Sequence, residues 1–100
     1  MPSTDVQIEE KIKIKATEPK RWKVILLNDD STPMDFVILI LMETFRHGLD
    51  SAKDIMLQVH EQGSGIAGVY SFEIAEAKAV EATNQARTNG HPLQLKLEEE

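Results

Sequence analysis

The sequence contains no cysteine among its 100 residues. Without thiols the chain can form neither a disulfide framework nor a zinc–thiolate site, and a cysteine nucleophile is excluded as well. A reducing cytosolic compartment is compatible with this composition.

Basic side chains are too few for a nucleic-acid partner. Lys and Arg number 11 against 17 Asp and Glu, which gives a formal net charge of -6 at pH 7. Phosphate binding requires a clustered excess of Lys and Arg. We therefore exclude nucleic acid and expect a cationic or neutral partner.

Long apolar runs are also missing. The run from Phe36 to Met42 is much shorter than the roughly 20 residues that a membrane-spanning helix needs. The amino terminus shows no basic stretch leading into an apolar segment, so we expect no secretory leader and no membrane association. With 41% hydrophobic and 28% charged residues, the composition is typical of one globular domain.

The pattern of apolar residues, caps and turns predicts a βααβαβ order over residues 21–98, preceded by a mobile, charge-mixed extension over residues 1–20. We expect an α+β fold in which a three-stranded antiparallel sheet packs against three helices. The predicted elements are a strand from about Arg21 that ends at Asn28, a helix Pro33–Arg46, a helix capped by Asp50 that runs through Gln62, a strand Gly65–Tyr70, a helix Phe72–Thr88 and a strand Pro92–Leu97. Gly63 should end the second helix in the left-handed conformation that glycine tolerates, and Asn89-Gly90 should end the third.

An acidic turn follows the first predicted strand. Asn28, Asp29 and Asp30 place an amide oxygen and two carboxylates there, a group that attracts cations. The alternative is that these residues only form the turn and cap the next helix. Thr32 before Pro33 predicts an N-cap hydroxyl for that helix.

Two helix faces could complete a site beside this turn. Met56, Val59 and His60 stand at positions i, i+3 and i+4, and Met34 and Val37 form a similar pair on the first helix. The alternative is that the apolar residues belong to the core and the histidine is packed or capped. Spacing alone does not establish that the two faces converge.

Little in the sequence supports catalysis. There is no serine in a recognisable nucleophile elbow, and no ligand spacing resembles a zincin or a calcium loop. We therefore expect a binding protein without cofactor or metal, not an enzyme.

Several stretches in order resemble the ClpS family of bacterial adaptors, and the resemblance covers about residues 21 to 98. It is carried by Trp22–Asp30, Thr32–Val37, Ile55–His60, Gly68–Tyr70, Ile74–Lys78 and Asn89–Leu93. It implies a fold like that of ClpS and of the ribosomal stalk protein's carboxy-terminal domain. It also implies an adaptor that recognises N-end rule substrates, whose first residue is bulky and apolar, and delivers them to a Clp ATPase.

The resemblance assigns the substrate's α-amino group to Asn28, Asp29 and His60, with Asp30 adding negative potential. By matching position, the side-chain pocket comprises Thr32, Met34, Val37, Met56, Val59 and Leu93. The residue at Met34 acts in the family as a gate against β-branched first residues, so the expected preference is for Leu, Phe, Tyr and Trp.

The implied contact with the amino-terminal domain of a ClpA- or ClpC-type ATPase falls on Glu73 and Lys78. Without the resemblance, both would be ordinary solvated helix charges. In the family the amino-terminal extension generally serves delivery after docking. The expected state is a monomer, and the expected location is the cytoplasm, with the plastid stroma as an alternative.

Some residues depart from the family pattern. Ser31 stands where an aromatic residue is expected, and Ala67 stands where cysteine is frequent. Leu39 and Met42 fall on a helix face that should meet water, and we hypothesise that they contact a partner or a second copy, although isolated exposed apolar residues are common. The rival interpretation is a structural interaction domain of the ribosomal stalk type, which would use an outer helical surface.

Overall fold

A computed structural model of the chain describes residues 20–100. The expected extension over residues 1–20 lies, apart from Lys20, outside the described residues. The elements confirm the βααβαβ order and are β1 (Arg21–Leu27), α1 (Met34–Glu43), α2 (Leu49–Gln62), β2 (Ser64–Ser71), α3 (Phe72–Thr88) and β3 (Gln94–Glu99). Among these helices none has both the length and the apolarity to cross a membrane.

Strand β1 is the centre of a three-stranded sheet with the order β2-β1-β3, and it is antiparallel to both neighbours. Its Val24, Ile25 and Leu26 are buried, as expected for a strand with a neighbour on each side and helices above it. The β1–β2 register shifts between Val24 and Ile25, which leaves Ala67 as the extra residue of a bulge.

Helix α3 contacts all three strands. Three of its alanines, Ala75, Ala82 and Ala86, are fully buried. Because alanine has only a methyl side chain, these positions allow the helix axis to approach the sheet closely. The core formed between the sheet and the helices consists of Val24, Leu26, Phe36, Val37, Ile40, Leu41, Phe45, Ala52, Met56, Val59, Ala67, Ala75, Ala82, Ala86 and Leu93.

Helix α1 ends at Glu43, earlier than the predicted Arg46. Phe45 turns into the core with 4% exposure, and Arg46 adopts a left-handed φ of 63°, which an α-helix cannot contain. Long-range contacts hold the turn, because Lys78 donates to the carbonyl of Thr44 at 2.7 Å and the ring of His47 bonds the carbonyl of Ala67.

The predicted caps of the first two helices were wrong in detail. Helix α1 has Pro33 at its N-cap and no capping side chain, since the hydroxyl of Thr32 is bound to Asp29 instead. Helix α2 begins after Gly48, not at a cap formed by Asp50.

The last two strands also have different bounds. Strand β2 is one residue longer at each end than predicted, while β3 runs from Gln94 to Glu99 rather than from Pro92 to Leu97. Leu93 therefore precedes β3, where it is 1% exposed.

Gly63 connects helix α2 to the end of β1. Its φ of 90° is left-handed, as the sequence predicted, and its N–H donates to the carbonyl of Val59 at 2.9 Å. Its own carbonyl accepts the N–H of Asn28 at 2.9 Å. This pair of bonds brings the last turn of α2, which carries His60, beside the acidic turn.

Candidate functional site

A cavity of about 290 Å³ opens between the acidic turn, the start of α1 and the second half of α2. Its lining contains every predicted α-amino and pocket residue except Leu93. The lining residues are Asn28, Asp29, Asp30, Thr32, Pro33, Met34, Val37, Met56, Val59 and His60. The structure thus brings together two helix faces whose convergence spacing alone could not establish.

The cavity combines a polar side with an apolar side. The turn and His60 supply the polar groups, while the facing helices supply Val37, Met56 and Val59, which are 7%, 9% and 3% exposed. Met34 is 42% exposed and lies on the first turn of α1, at the solvent side of this lining. The arrangement suits a ligand with a cationic end and an apolar group.

Asp29 organises the acidic turn through three hydrogen bonds. Its Oδ1 accepts the N–H groups of Ser31 and Thr32 at 2.8 and 2.7 Å, and its Oδ2 accepts the hydroxyl of Thr32 at 2.7 Å. A carboxylate offers about four acceptor positions, so one remains for a ligand. Turn formation, the alternative considered from the sequence, is therefore a real role of Asp29 and leaves room for a second one.

The carboxyl of Asp29 stays ionised well into acid. Burial raises its pKa, but the hydrogen bonds from Thr32 and Ser31 and the nearby charge of His91 lower it by more, so the pKa lies below the ordinary value of 3.8. Within residues 20–100, neither Asp29 nor Asp30 forms a salt bridge. Two carboxylates without a Lys or Arg partner give this side of the cavity a negative potential.

Leu93 does not line the main cavity. It lines a second space of about 10 Å³ together with Leu27, and this space shares several lining residues with the main cavity, namely Asn28, Asp29, Thr32, Val37 and Val59. Pro33 and Leu27 were not predicted as site residues. Their sequence positions next to Thr32 and Asn28 were the only signal that could have indicated them as site residues.

The remaining predicted residues lie outside the cavity. Glu73 is exposed at the start of α3, whereas Lys78 donates to the carbonyl of Thr44 and lies 5.4 Å from the centre of the Tyr70 ring. Lys78 is therefore not a simple solvated charge. Leu39 and Met42 are 45% and 36% exposed, as their helical positions predicted.

Ser31 and Ala67, two of the residues that depart from the family pattern, differ in exposure. Ser31 is exposed at the rim, where its N–H bonds Asp29, and Ala67 is buried in the bulge of β2. In the part of the chain that the structure describes, no three His, Asp or Glu side chains are grouped to hold a metal ion.

Comparison with known proteins gives consistent matches. A family model described as "ATP-dependent Clp protease adaptor protein ClpS" matches residues 17–96. A ClpS adapter of Bdellovibrio bacteriovorus is 52% identical over 86 residues, which are 86% of this chain and 75% of the relative. One from Campylobacter jejuni is 48% identical over 100 residues, which are 100% of both chains.

A solved structure matches the fold as well. The structure of Agrobacterium tumefaciens ClpS2 bound to L-phenylalaninamide superimposes with a TM-score of 0.79 and 43% sequence identity. The match covers 82% of this chain and 99% of the Agrobacterium chain.

Proposed function

This chain belongs to the ClpS family of adaptor proteins of the ATP-dependent Clp protease, and on that premise we propose that its cavity binds the amino terminus of N-end rule substrates. As a ClpS protein it is an adapter and not an enzyme, and its partners are a Clp ATPase and the substrates passed to it. No observation now favours the alternative of a ribosomal-stalk-type domain.

The observation that carries the proposal is the pairing of acceptors with an apolar wall in one cavity. A free α-ammonium carries three N–H donors. The amide oxygen of Asn28, the unused acceptor position of Asp29 and an unprotonated nitrogen of His60 can accept them, and all three residues line the cavity. Asp30 adds negative potential. An acetylated terminus has neither the charge nor the three donors.

The substrate's first side chain would occupy the apolar part of the cavity. Burying a Leu or Phe side chain contributes about 1.5–3 kcal/mol, and each hydrogen bond to a charged group adds about 1.5–3 kcal/mol. Together they are consistent with micromolar affinity, which corresponds to about 8 kcal/mol. L-phenylalaninamide, the ligand of the Agrobacterium relative, has both a free α-amino group and an apolar side chain.

Met34 would set the preference among first residues. It lies at the start of α1 on the cavity lining, at the position that in the ClpS family acts as a gate against first residues branched at Cβ. We therefore expect Leu, Phe, Tyr and Trp to bind more tightly than Ile and Val.

Delivery would use a different surface. Glu73 and Lys78 on α3 would contact the amino-terminal domain of a ClpA- or ClpC-type ATPase, and the adaptor would act as a monomer. Neither residue lines the cavity, so substrate binding and ATPase docking would not compete for the same groups.

Fluorescence titration of peptides tests this function. A Phe-initiated peptide should bind with micromolar affinity, its acetylated twin at least about 100-fold more weakly because it lacks charge-assisted bonds, and a Val-initiated peptide measurably more weakly than Leu or Phe. Asp29→Asn keeps an oxygen for the N–H groups of Ser31 and Thr32 but removes the charge, and it should weaken binding about tenfold.

Asp35→Asn is the matched control. Asp35 is exposed on the first turn of α1 and does not line the cavity, so this variant should bind like the wild type. Equal affinity for the free and acetylated peptides in all three proteins would refute the proposed function.

A further inference from the structure

The methionines of this chain differ in exposure. Because the chain contains no cysteine, its thioethers are the side chains most readily oxidised by peroxides. In the described part of the chain, Met34 and Met42 are 42% and 36% exposed, whereas Met56 is 9% exposed. Peroxide in solution therefore reaches Met34 and Met42 more easily than Met56.

Exposure and position coincide at Met34. Met34 and Met56 line the cavity, and Met42 does not. Within residues 20–100, Met34 is thus the one methionine that is both accessible to an oxidant and part of the cavity lining. Met42 offers an internal comparison with nearly the same exposure on the same helix.

We propose that Met34 is a site of reversible oxidation through which peroxides weaken substrate binding, an inference that rests on the proposed function. A sulfur lone pair of Met34 attacks one oxygen of hydrogen peroxide, the O–O bond breaks, and the proton of the transferred oxygen passes to the second oxygen, which leaves as water. The sulfur loses two electrons and the peroxide gains two. A methionine sulfoxide reductase reverses the change.

The sulfoxide oxygen finds few donors at this site. The N–H groups of Ser31 and Thr32 and the hydroxyl of Thr32 are already bound to Asp29, and the carboxylates of Asp29 and Asp30 only accept. The other polar lining residues, Asn28 and His60, are the ones that hold the ammonium group in the proposed complex. The sulfoxide therefore keeps its hydrogen bonds with water until an apolar first side chain displaces that water. Because these hydrogen bonds to water are lost without replacement, peptide binding weakens roughly tenfold.

Peroxide treatment of the whole chain tests the inference. Wild type, Met42→Leu and Met34→Leu are each oxidised with hydrogen peroxide, and the affinity of each for the Phe-initiated peptide is compared with that of its own untreated sample. After oxidation, wild type and Met42→Leu bind the peptide about tenfold more weakly than before, while Met34→Leu keeps the affinity of its untreated sample. Incubation with methionine sulfoxide reductase restores the wild type.

A second measurement needs no variant. Partly oxidised wild type is passed over immobilised Phe-initiated peptide, and the sulfoxide content of Met34 and Met42 is measured by peptide mass spectrometry in the bound and unbound fractions. Met34 sulfoxide accumulates in the unbound fraction, and Met42 sulfoxide divides equally. An equal division of both overturns this inference alone, whereas failure of the untreated protein to bind the peptide overturns the proposed function.

Discussion

Asp29 shows how one side chain can hold a turn and still carry a usable charge. The pKa of Asp29 in the folded protein lies below the ordinary value of 3.8. Its ionised carboxylate therefore stabilises the folded state fully at pH values above 3.8, and this stabilisation is lost as the pH falls through the lower, folded-state pKa. Asp29 therefore keeps its charge in mild acid.

His60 is the residue that we expect to accept one hydrogen of the ligand's ammonium group. His60→Leu removes this acceptor and should weaken binding of a Phe-initiated peptide about tenfold. His60→Gln keeps an amide oxygen that can accept, so it should weaken binding less.

The control for these variants is His91→Gln. His91 packs edge-on against Phe36 at 4.7 Å between ring centres and does not line the main cavity, so this variant should change the affinity much less than His60→Leu. Equal affinity of His60→Leu and the wild type would remove His60 from the ammonium site.

The roles of Glu73 and Lys78 can be distinguished by measuring both the stability of the fold and the binding of the ATPase domain. Lys78→Ala removes the bond to the carbonyl of Thr44 and should lower the free energy of unfolding by about 1 kcal/mol. Glu73→Ala should change it by less than about 0.5 kcal/mol. Both variants should bind an isolated ClpA or ClpC amino-terminal domain more weakly in titrations.

Glu81→Ala is the comparison for these docking measurements. Glu81 is an exposed residue of α3 that is not assigned to the ATPase contact, so its removal should change neither quantity. If Glu73→Ala binds the ATPase domain as tightly as the wild type, the assigned docking surface is wrong.

Among the connections between elements, the one at Gly63 determines how α2 meets the acidic turn. A Cβ there would have no atom within 4 Å, so the cost of Gly63→Ala comes from the left-handed backbone alone and should be about 1–2 kcal/mol in urea unfolding. Gly63→Asn should cost less, because asparagine tolerates this conformation.

The same substitutions should affect the ligand site. Because the carbonyl of Gly63 accepts the N–H of Asn28, Gly63→Ala should also weaken peptide binding, and Gly63→Asn should do so less. Equal stability of Gly63→Ala and the wild type would contradict the conformational explanation.

Periodicity and glycine placement were enough to predict the order of the elements. Alternation in β1 and the glycines after α2 and α3 are local signals, and they gave the correct βααβαβ order. The end of α1 was missed because it depends on partners far along the chain. Phe45 turns into the core, and Lys78 and Ala67 bind the connecting turn.

The candidate site was predictable only in part from local patterns. Helical spacing placed Met56, Val59 and His60 on one face, but the convergence of that face with Met34 and Val37 is a tertiary fact. The resemblance to ClpS had already assigned the residues of both helix faces to one site. It could not show that Thr32 serves Asp29 rather than the helix, or that Leu93 does not line the main cavity, because both depend on atomic packing.

For the molecule as a whole, exposed apolar residues raise the question of self-association. Leu39 and Met42 are exposed on α1, and an isolated patch of this kind is ordinary on a monomer. We expect light scattering to give the mass of one chain for both the wild type and Leu39→Lys. A wild-type dimer that Leu39→Lys dissociates would instead assign the patch to a second copy.

The central position of β1 has a mechanical consequence. Its amino-terminal end follows Lys20, its other end leads into Asn28, and it is hydrogen-bonded along both edges to antiparallel neighbours. Tension applied through the preceding chain would act along this strand and load the perpendicular hydrogen bonds of both ladders in shear. The sheet would then have to yield at its centre before the pull reached the acidic turn, so the shape of the cavity should change little under load applied from the amino-terminal side.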